Sequence, residues 1–310
     1  MKKRKWIIQL IIPGLLALVA CREDNDAIPE RDTAQLQIEA SVENTTKTVK
    51  FVWKSGDKLG LIVSEEGSAS TPYLLDKNLN SPVTYTEGSG WGNTSVYLSE
   101  KRADIRAYWP YSESFDLKKI LLTQQDITDS DLSQDFLLST LDGTDVPVIS
   151  NASPGAELRM KHVSARIRII LQTVGSSKKV KCSTMTFNGY SADATFSLLD
   201  YSITTGAKGT FTPALKDITL GATTSEAICD FMLPPQSAAS GSVALSMLVD
   251  NKPYQTTIKS DGKNNSGLLT WESGKVYTYT YAVKVGEDIK LTGISIAGWT
   301  DKGNSNVELK

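Results

Sequence analysis

The chain has 310 residues, 40% hydrophobic and 22% charged, so it carries enough apolar content for packed cores and is no disordered polymer. Its 33 Lys+Arg against 35 Asp+Glu leave a formal net charge of −2, which excludes a basic nucleic-acid footprint over the whole protein. One His and three Cys exclude His-rich metal centres and a disulfide-dense scaffold, and leave few groups for acid–base chemistry near neutral pH.

In chain order, the first element is a targeting segment. Lys2, Lys3, Arg4 and Lys5 precede an apolar stretch from Trp6 to Leu18, interrupted by Pro13 and Gly14 and closing on Leu18-Val19-Ala20-Cys21. A positive head, a short apolar middle and small residues at the end describe a secretory signal rather than a membrane span. Leu-Val-Ala-Cys resembles the lipobox of bacterial lipoproteins. That resemblance implies cleavage after residue 20 and acylation of Cys21, with palmitate-type chains holding the protein to outer-membrane lipid. Each buried methylene contributes about 0.8 kcal/mol to such an anchor. Residues 21–33 then form a lipidated tether that opens on Arg22-Glu23-Asp24-Asn25-Asp26. This acidic run reads either as a solvated linker or, by similarity to surface-export signals of some outer-membrane bacteria, as a routing signal.

From residue 33 onward the dominant period is two. The first strand is expected over Gln35–Val42. Ile167, Ile169 and Leu171 oppose Arg166 and Arg168, and Val243, Leu245, Met247 and Val249 share one face. Tyr277, Tyr279, Tyr281, Val283 and Val285 alternate with Thr278, Thr280, Ala282 and Lys284, predicting a central strand over 276–285. Such alternation marks half-buried antiparallel strands. Ser55-Gly56-Asp57, Glu87-Gly88-Ser89-Gly90, Asp261-Gly262 and Ser273-Gly274 supply turns, with a weaker hairpin signal at Asn188-Gly189. The best helical candidate is the short stretch Asp116 to Gln125. The pattern predicts an all-β chain of two tandem antiparallel β-sandwiches, because one sandwich of about 100 residues cannot absorb the body. The polar stretch Asn151-Ala152-Ser153-Pro154-Gly155 places the division between residues 34–156 and 157–310.

No constellation of catalytic or metal-binding spacing emerges. Asp126, Asp129, Asp131 and Asp135 invite a calcium loop, but counting from Asp129 the sixth and twelfth positions hold Gln134 and Thr140 instead of Gly and Glu. His162 has no nucleophile or orienting acid at recognisable spacing and reads as structural. Ser64-Glu65-Glu66-Gly67-Ser68 lacks the nucleophile-elbow pattern, and Gly56 and Gly60 lack the Gly-Lys-Ser/Thr of a phosphate loop. No catalytic, cofactor-binding or metal site is therefore expected. Trp53, Trp91, Trp109, Trp271 and Trp299 either fill cores or form a carbohydrate platform, with core filling favoured for any single Trp. Cys182 and Cys229 either pair or remain two buried thiols.

Seven segments in order resemble the fimbrillin family of surface lipoproteins and pilus subunits. Trp53-Lys54-Ser55-Gly56-Asp57-Lys58-Leu59-Gly60 is similar to its W-x-x-G-D-x-I-G opening, and Ala107-Tyr108-Trp109-Pro110-Tyr111 to its Y-Y-P-Y segment. Gln125 followed by Asp135-Phe136-Leu137-Leu138 resembles its Q…D-L-L-Y-A element. Leu158 to Ala165 follows L-x-F-x-H-x-L-S/A-K, with Arg166 where Lys is usual. Pro235-Gln236, the Trp271–Tyr279 segment and Ile296-Ala297-Gly298-Trp299 match its P-Q pair, its W-x-x-G-x-x-Y-x-Y strand and its closing I-x-x-W.

The resemblance implies two transthyretin-like sandwiches, with His162 opening the second, and a non-enzymatic subunit that contributes to a pilus and to cell adhesion. Its implied partners are other pilus subunits, joined by strand donation, with a lipid-anchored location on the outer membrane, at the cell surface or in the fimbrium. Family pilins are typically cut after an Arg that follows the first strand. Here the basic residues between that strand and Trp53 are Lys47 and Lys50, with no Arg, which makes these two the possible processing sites and otherwise leaves the first strand in place. The alternative is a non-polymerising glycan- or peptide-binding surface lipoprotein.

Overall fold

The computed structural model describes residues 33–43, 52–127, 135–174, 180–260, 267–284 and 289–298, together with the backbone of strand Ser305–Glu308. The signal segment, Cys21, Lys47, Lys50, Asp129, Asp131 and Trp299 lie outside the described residues. Apart from one 3-10 turn, Asp76–Asn80, every regular element described is a strand, so the chain is all-β.

The N-terminal half builds one strongly curved sheet in the order Gln37–Val42, Gly155–His162, Leu137–Leu138, Ala103–Trp109, Lys58–Glu65, Ser81–Thr86, Gly90–Trp91, with Val148–Ile149 also paired to Ala103–Trp109. Its concave side encloses a core of Leu59, Leu61, Val63, Ile105 and Ala107, closed by Leu36, Ile38, Leu158 and Met160. The convex side is also apolar. Ile62, Tyr108 and Leu138 pack there against Phe196 and Leu198, and against Ile120 and Leu122 of a small sheet ordered Ile203–Thr205, Asp193–Phe196, Ile120–Thr123. Ala103–Trp109 is therefore buried on both faces, an apolar run broken by Asp104 and Arg106.

The C-terminal half stacks two sheets. One runs Ser305–Glu308, Lys290–Gly298, Lys275–Val283, Ala165–Thr173, Cys229–Leu233, Gln125–Asp126, and the other Lys208–Phe211, Cys182–Ser191, Val243–Val249, Lys252–Ile258. Ile167, Ile169, Leu171, Tyr277, Tyr279 and Tyr281 from the first meet Met185, Phe187, Leu245 and Met247 from the second in one core. All three alternations expected from the sequence point the predicted faces inward, and Lys275–Val283 is central as predicted, while Val285 lies outside the described residues.

Several expectations are corrected. Not all pairing is antiparallel: Gln37–Val42 runs parallel to Gly155–His162, and Ala165–Thr173 runs parallel to Lys275–Val283. The helical candidate Asp116–Gln125 is instead a turn closed by the Lys119 N–H on the Asp116 carbonyl and then the strand Ile120–Thr123, where Ile120 and Leu122 are buried while Leu121 is 68% exposed. The 156/157 division falls inside strand Gly155–His162, which hydrogen-bonds into the first sheet. His162 thus ends the last strand of the N-terminal sheet rather than opening the second, and the chain passes to the other sheet at Val163-Ser164.

Asn188-Gly189 does not turn a hairpin. It forms a bulge within Cys182–Ser191, with Gly189 at φ +103°, and a Cβ there would stand 2.6 Å from the Ser242 carbonyl oxygen. Gly189→Ala is expected to cost about 1–3 kcal/mol, measured by denaturant unfolding. A change within about 0.5 kcal/mol would mean that the bulge relaxes freely.

Candidate functional site

The N-terminal strand closes the seam of the curved sheet. Alternation places Leu36 and Ile38 in the core, with Ala40 and Val42 packed at its rim, while Gln37 and Glu39 face solvent. On one side the strand runs parallel to Gly155–His162, in a register that sets Ile38 beside Ala156 and Ala40 beside Leu158. The Gln37 N–H donates to the Pro154 carbonyl at 2.9 Å and the Glu43 N–H to the Met160 carbonyl at 2.9 Å, extending that ladder at both ends.

The other side is fastened by few bonds. Ala34-Gln35 pairs with Tyr97-Leu98, the Leu36 N–H donates to the Val96 carbonyl at 3.0 Å, and the Thr94 hydroxyl donates to the Leu36 carbonyl at 2.8 Å. Farther along, the indole N–H groups of Trp53 and Trp91 both donate to the Ala40 carbonyl, at 3.0 and 3.4 Å. The two indoles meet edge to face with centroids 4.9 Å apart, and Trp91 meets Tyr85 at 5.3 Å. A short strand is thus held at a sheet edge by backbone bonds along one side and by side-chain latches along the other. Chemically, such an arrangement can release one extended segment and accept another with the same alternation.

The motif residues explain one another. Gly60 pairs with Tyr108, whose ring fills the space where a Cβ at residue 60 would stand and stacks on Phe115 with a centroid spacing of 3.6 Å. The carboxylate of Asp57 accepts the Lys54 N–H at 2.7 Å and tightens the turn around Gly56, at φ +97°. The Trp271 indole donates to the Tyr279 hydroxyl at 2.9 Å, and the Tyr277 hydroxyl accepts the Glu272 N–H at 2.9 Å, so side chains fasten this aromatic segment across its turn although its two strands lie in different sheets. Gln236 clamps the end of Cys182–Ser191, its amide accepting from the Ser191 N–H and donating to the Ser191 carbonyl, both at 2.8 Å.

Sequence reasoning missed three features. His162 does have an acid partner: its Nδ1 meets the Asp135 carboxylate in a fully buried contact. The spacing between the two gave no signal, because the sheet register sets Leu137 opposite His162. Asp126, weighed with Asp135 as a calcium ligand, instead accepts the Ala214 N–H at 3.1 Å in the other sheet. Burial raises the Asp126 carboxyl above the usual carboxylate range. Arg106 is buried beside Asp104 and reaches the Tyr201 hydroxyl at 3.1 Å, tying the two halves of the chain together.

Cys182 and Cys229 are buried free thiols, with the Cys229 sulfur 3.5 Å from the Met185 sulfur. Burial pushes the Cys182 thiol up to about 11 and raises Cys229 as well, so both are poor nucleophiles at neutral pH. Among the described residues, no three His, Cys, Asp or Glu side chains converge in a way that could hold a metal ion. None of the described helices is long and apolar enough to cross a membrane.

The family model described as fimbrillin-like matches residues 42–299. No curated protein matches the sequence. Solved structures share the fold at low identity. A protein from Bacteroides ovatus ascribed to cell adhesion is 16% identical with a TM-score of 0.62, over 87% of this chain and 99% of its own. One from Bacteroides uniformis, also ascribed to cell adhesion, is 15% identical with a TM-score of 0.61, over 86% and 99%. A fimbrial protein from Bacteroides vulgatus is 13% identical with a TM-score of 0.51, over 86% and 99%.

Proposed function

This chain belongs to the fimbrillin-like family, and from that membership we propose that it is a non-enzymatic structural subunit of a pilus-related adhesion appendage. In this reading residues 1–20 are a signal peptide, Cys21 carries the lipid that holds the protein to the outer membrane at the cell surface, and the body folds as two sandwich domains. Its partners are other pilus subunits, joined by strand exchange. The observation that carries the reading is the edge strand Gln37–Val42, whose alternate side chains complete the N-terminal core. An edge strand that supplies part of a core can be replaced by a strand from another chain at little net cost, because backbone bonds and buried area are restored together.

Lipidation is tested by Cys21→Ser. The variant is expected to lose acyl labelling and to leave the membrane fraction, since the anchor rests on the buried methylenes of its chains. Unchanged membrane retention would refute the anchor.

The first strand decides the subunit's place in a filament. Between Val42 and Trp53 the basic residues are Lys47 and Lys50, with no Arg, while Arg31 precedes the strand. An Arg-specific protease therefore cannot free this strand by cutting behind it. We read the chain as a subunit that keeps residues 35–42 paired and so ends or caps a filament. Treatment with Arg-specific and Lys-specific proteases, followed by N-terminal sequencing of the cell-surface form, is expected to find the first strand still attached. A native N-terminus just after Lys47 or Lys50 would overturn the capping role and leave the strand-exchange reading standing.

A further inference from the structure

Beside the seam, between the N-terminal strand and the Trp91–Asn93 segment, lies an open groove of about 550 Å³, within the range of small-ligand pockets. We propose that this groove binds a neutral carbohydrate chain, with Trp91 as the platform for a sugar ring.

The aromatic wall is preorganised. The Trp91 indole is fixed by its N–H bond to the Ala40 carbonyl and by edge contacts with Trp53 and Tyr85, yet it stays only half-buried and lines the groove. A ring already held in place gives up little conformational freedom when the C–H face of a sugar packs on it. Around it stand planar polar groups suited to hydroxyls: the amides of Gln37 and Asn93, and the carboxylates of Glu39 and Glu157, all solvent-facing. Register places Glu39 directly beside Glu157, and Gln37 beside Gly155. A hydroxyl-rich ligand can donate to the carboxylates and exchange both kinds of bond with the amides.

Charge narrows the class. The described lining holds two carboxylates and no Lys, Arg or His, so uronates, sialylated sugars and phosphates would meet like charge with no cation to pair. The solvent-facing side chains of the lining are the half-buried Trp91 and the polar Gln37, Glu39, Asn93 and Glu157, while Leu36, Ile38 and Ala156 are buried in the core, which does not suit an acyl chain. At Gly155 a Cβ would meet nothing within 4 Å, so the floor of the groove is open where a larger residue would fill it. Gln37 and Glu39 belong to the first strand, so the site exists only while that strand is in place. The inference rests on the proposed reading that residues 35–42 stay paired, and not on assembly into a filament.

The test titrates the intact chain with chitotriose, maltotriose and lactose as neutral probes, trigalacturonate as the anionic probe, and an extended decapeptide, by calorimetry and ligand-observed NMR. At least one neutral sugar is expected to bind, with trigalacturonate at least tenfold weaker. Gly155→Phe, which fills the open floor, and Asn93→Ala, which removes an amide, should each weaken that binding at least about tenfold with an unchanged melting temperature. The proposal is overturned if no neutral probe binds at about 10 mM, if binding survives intact in Gly155→Phe, or if only the peptide or the anionic sugar binds.

Discussion

Tyr279→Ala is expected to destabilise the C-terminal core by about 4–6 kcal/mol, more than any other single aromatic truncation in strand Lys275–Val283. Tyr279 is 1% exposed between Ile169 on one neighbouring strand and Ile294 on the other, so its removal opens a cavity that these partners cannot close. Truncating a buried aromatic costs about 3–5 kcal/mol in its own right. The variant also strands the Trp271 indole N–H, which donates to the Tyr279 hydroxyl at 2.9 Å inside the core. An orphaned buried donor adds about 1–3 kcal/mol. Tyr279→Phe separates the two contributions, since it keeps the ring and removes only the acceptor, and should cost about 1–3 kcal/mol. Denaturant unfolding of both variants measures the difference. A loss below about 0.5 kcal/mol for Tyr279→Ala would show that this face of the strand is solvent rather than core.

The second large effect is at Asp230, whose carboxylate accepts from Arg166 in a two-bond fork, Nε to Oδ1 at 2.8 Å and an Nη to Oδ2 at 2.7 Å. Arg168 Nε approaches the same carboxylate at 3.4 Å. Asp230 is 6% and Arg166 4% exposed, and burial holds the Arg168 guanidinium below its usual range, with the Arg166 charge adding to the same effect. Asp230→Ala removes the anion that two buried or half-buried cations share. The expected loss is about 3–5 kcal/mol, because a broken buried pair leaves its partner charge desolvated and unmatched. The double variant Arg166→Met, Asp230→Leu should recover much of that loss, since it buries apolar volume in place of a charge pair. If Asp230→Ala alone costs less than about 1 kcal/mol in urea unfolding, water reaches the site and the pair acts as a surface bridge.

Much of the fold was legible in the sequence because its cause is local. A side chain's face on a strand depends only on whether its position is odd or even, so Val243 to Val249 and Tyr277 to Tyr281 announced their buried faces without knowledge of any partner. Gly56 and Gly274 sit at positive φ where the turns were read, a demand that a few residues of chain impose by themselves. The family motifs were likewise readable as spacings, and all of them lie within the matched span 42–299.

The tertiary structure decided what depends on a partner far along the chain. Asp116 to Gln125 carried a helical pattern too short to hold a helix by itself, and pairing with Asp193–Phe196 drew its middle into a strand. Asn188-Gly189 has the composition of a hairpin turn, yet pairing on both sides of Cys182–Ser191 carries the chain straight on and leaves a bulge. The burial of Tyr108 over Gly60, the contact of His162 with Asp135 and the two indoles on the Ala40 carbonyl each join residues whose separation carries no periodic signal. The parallel pairing of the first strand with Gly155–His162 is of the same kind. Alternation fixes which way a side chain points. It is silent on which strand lies alongside, because the backbone donors and acceptors that choose the neighbour are the same in every residue but proline.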